Sequence, residues 1–451
     1  MMKTSMLLAV LLLPTQNTTA EKLPVRPKPV RTDRKGPLAG LPGAPGAHLD
    51  KIRGLKDGEW VSLGTPAPDP KWGGARGRSW SAQMTYAPDL QGAFIIGMGV
   101  HNFITPDGRL QDDIFFYDLN GHRWIAVYGG TNTTTFLDRA KSAELKIGDD
   151  GQLADKEGHP VPVSMIPHHS YHAHTYDTDQ KKYVVAWNGN GVGHVGCEPG
   201  SRPEWEKAYR EALGMLGGKS SGRPEKLIGT PLFFNTIAGK FERFALSGQP
   251  LTGAADGGVH GSICYLPTRK AFFHYHGGVT QLYDAVSHQC QSAGAQGKGQ
   301  PGSSDVGLCY DSKRDRVYMG RGNYAPPPRP DEGNVYIYDV KANAWSNPPN
   351  KPNAGSFPPC NAGNTHYDVA NDRVVAISHP AGSREPGTVS VYNPETGAWE
   401  AGAAIPPAVS AGGECWHSFY SPEVNAHFLY VAGDSTDRGT MWAFRYKNHK
   451  K

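Results

Sequence analysis

Residues Asp305–Asn323, DVGLCYDSKRDRVYMGRGN, followed after a proline-rich loop by Asn334–Pro349, NVYIYDVKANAWSNPP, contain the whole architectural unit of this chain. An apolar run ends in Tyr310. Polar turn residues DSKRD follow, and then a second apolar run, RVYMG. A third run ends in Tyr338, and Trp345 sits seven residues later, past the turn DVKANA. Short apolar runs separated by turn residues specify consecutive antiparallel hairpins, here four strands long.

The same order recurs along the chain. Six segments share the first half: SAQMTYAPDLQGAFIIGMG, YHAHTYDTDQKKYVVAWNG, HGSICYLPTRKAFFHYHGG, the segment already quoted, AGNTHYDVANDRVVAISHP and CWHSFYSPEVNAHFLYVAG. Each has its tyrosine in the same place: Tyr86, Tyr176, Tyr265, Tyr310, Tyr367 and Tyr420. The second half recurs as an aromatic residue with a bulky residue seven positions on. The pairs are Tyr117/Trp124, Phe234/Phe241, Tyr283/Cys290, Tyr338/Trp345 and Tyr392/Trp399. Units that cannot bury their faces alone must stack on one another, so the pattern predicts an all-β, six-bladed β-propeller.

The sixth unit is short by one strand. It reaches Phe444 in MWAFRYK, and the chain stops soon after. The missing element lies at the other end, where Asp57-Gly58-Glu59-Trp60 before VSLGTPAP matches the ends of the other units. The N-terminal strand is therefore expected to complete the last blade. An unclosed ring would leave an apolar blade face at each end.

Composition agrees. The 451 residues include 56 glycines and 37 prolines, suited to many turns. The net charge of +4 is concentrated at the start. Residues 1–49 hold seven Lys/Arg and two acids, and the remainder is close to neutral. No basic stripe crosses the folded part, which argues against nucleic acid as a partner. Lys3, the apolar run Met6–Leu13 and the small residues Thr18-Thr19-Ala20 predict a signal peptide over 1–20, and hence a secreted or periplasmic protein. Residues 21–49 are Pro/Gly-rich and basic, and are expected to form a disordered leader. The propeller is assigned to 50–451, with no transmembrane segment and a monomeric state expected.

The six-fold pattern resembles the kelch repeat of the galactose-oxidase-like propeller superfamily over about residues 57–447. It departs in that a double glycine is clear only at Gly277-Gly278, and Cys290 stands where the pattern has tryptophan. The superfamily includes copper-radical oxidases, which need a Tyr-His ligand pair, a further histidine and a tyrosine cross-linked to cysteine. Tyr171-His172 would be the pair, and His417 or His260 the further ligand. No cysteine partner is identifiable, and those propellers usually have seven blades.

Two insertions interrupt the rhythm. In 131–166, KIGDDGQLADKEGHPVP predicts a small hairpin. In 193–230, RPEWEKAYREALGML predicts a helix of about three turns. Long insertions on a rigid scaffold tend to shape binding sites.

In a propeller the starts of first strands and the ends of second strands open on one face around the axis. Many histidines fall there, and imidazole serves both as metal ligand and as near-neutral acid or base. The site predicted on this face has His172, His260 and His417 at its core, as ligand contacts or as ligands to a transition metal such as copper. Tyr171, Trp416, Arg321, Arg384 and Asp305 complete the contact set. Three readings follow: a binding module for a polar small molecule or glycan, probed on glycan arrays; the oxidase, probed by bound metal; and a protein-interaction scaffold. Cys264 and Cys309 occupy equivalent interior positions and are expected to be buried thiols. Cys360 and Cys415 start adjacent blades and are candidates for a disulfide or a metal.

Overall fold

The computed structural model describes residues 33–448, apart from 79–80, 82, 98–103, 148–152, 162–169, 171, 187–202, 217–230, 250, 252–260, 294–299, 302–305, 322–330, 352–354, 356, 359–362, 380–385 and 435. The fold is a six-bladed β-propeller. Blade four, read first in the sequence, comprises Leu308–Asp311, Arg316–Met319, Tyr336–Asp339 and Ala344–Ser346, paired in that order. Blades one, two, three and five repeat the arrangement, beginning at Thr85–Ala87, His174–Asp177, Ser262–Leu266 and Gly363–Asp368. In blade six, Cys415–Ser421, Ala426–Ala432 and Thr440–Phe444 are joined by Trp60–Gly64 as outer strand. Trp60 lies opposite Phe444, with the rings stacked 4.6 Å apart.

The seven-residue spacing has a direct physical basis. Tyr117 faces Trp124, Phe234 faces Phe241, Tyr283 faces Cys290, Tyr338 faces Trp345 and Tyr392 faces Trp399, each pair directly across two antiparallel strands. Cross-strand aromatic neighbours are the packing unit of a sheet. The turns carry a second regularity. Residue five after each such tyrosine adopts positive φ, as in His122, His288, Asp315, Asn343, Asp372 and Asn425. The tyrosine hydroxyl bonds to that residue in each case: Tyr310 to Asp315 at 2.8 Å, Tyr367 to Asp372 at 2.9 Å, Tyr338 to Asn343 at 2.6 Å. Asn, Asp and His tolerate this left-handed geometry better than most residues, and the phenol locks it. Tyr176 and Tyr265 reach instead to Asp89 and Asp179 in the turn of the preceding blade, tying neighbours together.

The core is divided among the blade interfaces. Six hydrophobic clusters each span two successive blades, and the sixth joins Phe115, Tyr117 and Trp124 of blade one to Phe419, Phe428 and Tyr430 of blade six. The links between blades cover exposed sheet edges. Ser247–Gly248 runs parallel to Gln289–Ser292, and Ala67 pairs with Arg123, each adding a short fifth element to the outer strand.

The stretch expected to be a disordered leader is packed from Asp33 onward. Arg34 donates to Thr236 at 2.8 Å and pairs with Asp89, while Leu38 and Leu41 are buried between blades one and two. The helix His48–Arg53 then places Leu49 and Ile52 in the cluster between blades one and six. Arg445 fixes this helix. Its guanidinium donates to the carbonyls of Ile52, Arg53 and Leu55 on one side and Val424 and Asn425 on the other. Few but well-spaced apolar residues suffice here, because they lap onto grooves that the blades already supply. The signal-peptide expectation lies outside the described residues. No helix among those described is long and apolar enough to cross a membrane.

Candidate functional site

Three loops meet on the face where first strands begin. They are the connection inside blade one around Ile104–Leu110, the insertion after blade one, and the insertion inside blade two. The first insertion forms the expected hairpin, Leu145–Ile147 against Leu153–Asp155, and also a helix, Thr133–Lys141, capped by the Asn132 side chain. The second forms the expected helix, Pro203–Met215. Together they build a core of their own from Ile104, Leu110, Phe136, Leu137, Leu145, Val161 and Ala212, with Trp205 packed against it. Lys141 and Glu211 bridge the two helices at 3.3 Å. The insertions thus make one cap. The helix at 133–141 escaped sequence reading because TTTFLDRAK has a weak apolar stripe and three threonines in its first turn.

Beneath this face the six innermost strands contact their neighbours all the way round. Parallel contacts such as Gln83 with Ser418 and His172 with Ser262 seal them. The polar side chains at the start of these strands are consequently buried. His417 donates from Nδ1 to the Ser81 carbonyl at 2.6 Å and accepts at Nε2 from the Arg78 amide at 3.1 Å. Both ring nitrogens are engaged, which fixes the tautomer and leaves no lone pair for a metal. Burial first, and then the Arg78 charge, hold its pKa at about 3. Trp416 is also buried, donating to the Gly413 carbonyl at 3.1 Å with His379 tilted against its ring.

His172 is fully buried, and burial alone holds it at about 3. Neither of its nitrogens has a hydrogen-bond partner among the described residues. Arg321 is half-buried at the end of the second strand of blade four. His260, Tyr171, Arg384 and Asp305 lie outside the described residues. The structure therefore keeps His172 and His417 at the starts of inner strands but not as free surface, while the Trp416 ring packs into the core between blades five and six. The closeness of the inner strands, which buries both histidines, was not visible in any single segment.

Three histidines that strand-start reasoning passed over belong to the same centre. His174 shares Thr85 as partner through Nδ1 at 3.0 Å; burial, His172 and Arg78 hold it at about 3. His366 meets the Ser418 hydroxyl at 2.8 Å, and its ring lies 6.0 Å from His427. His427 in turn contacts Asp368 at 3.3 Å. Burial raises that carboxyl, but His427 and Asn371 outweigh it and keep it below its usual range. The signal for all three is position: they sit one or two residues before the repeat tyrosine, or on the second strand opposite it.

Arg78 is the charged group at this centre. It is buried, pairs with Asp113 and donates to the Gly97 carbonyl. Beside it, Cys415 lies 3.7 Å from Asp434, and burial together with that carboxylate pushes the thiol up. Cys264, Cys290 and Cys309 are buried free thiols as well, while Cys360 falls outside the described residues.

Of the three histidines expected to hold a transition metal, His417 has both nitrogens engaged and offers no lone pair, and His260 lies outside the described residues. Among the described residues the one group of three ligand atoms within metal-binding reach is Asp155, Glu157 and His159, on the hairpin of the cap. Of the copper-radical set, His417 is spent on backbone partners, whereas Tyr171 and His260 lie outside the described residues.

No protein-family model matches the chain, and no curated protein matches it. Among solved structures it is similar to TolB from Acinetobacter baumannii, at 12% identity and a TM-score of 0.35. The match covers 76% of this chain and 62% of the TolB chain, so this protein spans under two thirds of that relative's length.

Proposed function

We propose that this protein is an exported propeller of the kelch type that binds a polar ligand of the saccharide class on its capped face. The observation that carries the reading is the convergence of three loops into a cap with its own core, over the face where the innermost strands begin. A rigid ring with one elaborated face is the usual way a repeat scaffold presents a binding surface. The kelch assignment rests on the repeated tyrosine, the cross-strand aromatic pairs and the closure by Trp60–Gly64. Arg321 supplies a half-buried guanidinium at the rim, suited to hydroxyl and carboxylate groups of a sugar. His172, His417 and Trp416 then act beneath the ligand as supports of the ring. Glycan-array binding tests the reading, followed by thermal shift with the best-bound glycan. Arg321→Ala should abolish most of the shift and leave the unliganded melting temperature unchanged. An array with no glycan bound above background overturns the saccharide assignment.

A further inference from the structure

On the face opposite the cap, where first strands turn into second and third into fourth, a cavity of about 640 Å³ opens between blades one and six. Its walls come from the helix His48–Arg53, from Gln91 and Asn120 in the turns of blade one, from the turn Glu423–Asn425 of blade six, and from Arg445 just past the last strand. That volume falls within the roughly 300–1,000 Å³ usual for small-ligand sites.

Gln91 and Asn120 are locked together. Asn120 donates from Nδ2 to the Gly43 carbonyl at 2.9 Å and to Gln91 Oε1 at 2.7 Å. The Gly43 carbonyl can only accept, which settles the nitrogen end of each carboxamide. Gln91 Nε2 and Asn120 Oδ1 then have no hydrogen-bond partner among the described residues. The joined pair thus offers the cavity one donor and one acceptor. A carboxylate alone leaves Asn120 Oδ1 unmet, and a cation leaves Gln91 Nε2 unmet. A peptide group answers both, with its C=O and its N–H. A sugar hydroxyl could do the same, but Leu49, Leu119 and Val424 beside the pair provide no ring for a sugar to stack on. They suit aliphatic side chains.

The charge of the walls gives the ligand a direction. Arg445 donates to five backbone carbonyls and to Asn448 Oδ1, all neutral. Asp57, whose charge acts on it, bonds to Asn448 instead. Arg53 adds a second guanidinium, more than half exposed, which pairs with Asp50 through Nη1. Facing these two is one carboxylate, Glu423, which takes the Tyr86 hydroxyl at 2.5 Å and the Ser421 hydroxyl at 3.1 Å. The negative end of a ligand turns away from Glu423 and towards Arg53.

We propose that this cavity binds a peptide C-terminus, with the last peptide group on Gln91 and Asn120 and the terminal carboxylate towards Arg53. Because its walls belong to both ends of the chain, the ligand also ties the N-terminal helix to blade six and stabilises the closed ring. The site is independent of the saccharide reading of the capped face.

A library of N-acetylated tripeptides, each with a free and with an amidated C-terminus, tests this by thermal shift on the full chain. Free acids should raise the melting temperature, because they bind the closed ring and not the unfolded chain. Their amides should bind about tenfold more weakly, having lost a charge-assisted bond. Gln91→Glu keeps the oxygen that Asn120 needs, removes the donor and adds a like charge. Arg53→Gln removes the exposed charge and keeps the backbone carbonyl that Arg445 uses. Both should melt like the parent without ligand. Gln91→Glu should weaken the best acid by about tenfold or more, and Arg53→Gln should bring it down to the affinity of its amide. The best tripeptide, free and as the last residues of a folded carrier protein, tells the two sources of such an end apart. A shift by both identifies the chain end of a partner, and a shift by the free form alone a short peptide. No shift with any free acid, equal binding of acid and amide, or parent-like affinity in Gln91→Glu would overturn the proposal.

Discussion

Acidification should unfold this propeller well before its carboxylates are neutralised. Four buried histidines, His172, His174, His274 and His417, are each held at about 3, with burial as the first cause throughout. In the unfolded chain each returns to about 6.5. Between those values the unfolded state binds protons that the native state refuses, so stability falls as pH falls, beginning near 6.5 and continuing towards 3. At pH 5.5 each group costs about 1.3 kcal/mol relative to pH 7, and the four together about 5 kcal/mol. That approaches the whole margin of a typical domain, roughly 5–15 kcal/mol. Urea unfolding followed by tryptophan fluorescence, at several pH values from 8 to 5, measures the effect. The free energy should be flat above pH 7.5 and then drop, with proton uptake on unfolding of four or more, because His122, held at about 4, and His366, held well below its usual value, add to these. His274→Gln, away from the axial cluster, should lower that uptake by about one. A free energy that is level from pH 8 to 5.5, or an unchanged slope in His274→Gln, would refute the assignment of these histidines as buried and neutral.

Two further predictions concern closure of the ring. Trp60→Ala should destabilise the protein by about 3 kcal/mol, at the lower end for removal of a large aromatic because the ring is only half-buried, and deletion through residue 70 should prevent cooperative melting in calorimetry. Arg445→Met should cost about 3 kcal/mol or more, since it strands the carbonyls of Ile52, Leu55 and Val424 together, and limited proteolysis should then cut within residues 33–55 before the blades.

The fold was legible because its rule is local and repeated. Tyrosine, a five-residue turn and an apolar strand can be recognised in DVGLCYDSKRDRVYMG without knowing what lies beside it. The structure adds the reason, namely a tyrosine hydroxyl that locks a residue of positive φ five positions on. Even the departures follow the rule: Cys290 occupies the tryptophan position and still faces Tyr283 across the strands. The segment 33–55 was not legible for the opposite reason. Its proline and glycine content suits a disordered chain, and the few apolar residues that hold it, Leu38, Leu41, Leu49 and Ile52, are spaced to fit grooves on other parts of the protein.

The site was legible only as far as topology carries it. Strand starts do converge on one face, and two recognised insertions do gather there, as their places in the repeat required. Whether a side chain at such a start meets solvent or a neighbour depends on the width of the ring, and no segment records that width. His417 illustrates the difference. From sequence it is a polar residue at the mouth of a channel; in the folded ring it joins the Ser81 carbonyl and the Arg78 amide, more than three hundred residues away, and its chemistry is used up in closing blade six onto blade one. His172, one repeat position earlier in its own strand, is buried with no hydrogen-bond partner at either nitrogen among the described residues. Two histidines one repeat position apart, and so on opposite faces of their strands, thus have opposite capacities. The distinction comes from the Arg78–Ser81 approach to blade one, which sits beside one of them and not the other. Any ligand that reaches the axis therefore meets the blade two side of the ring as chemistry and the blade six side as scaffold.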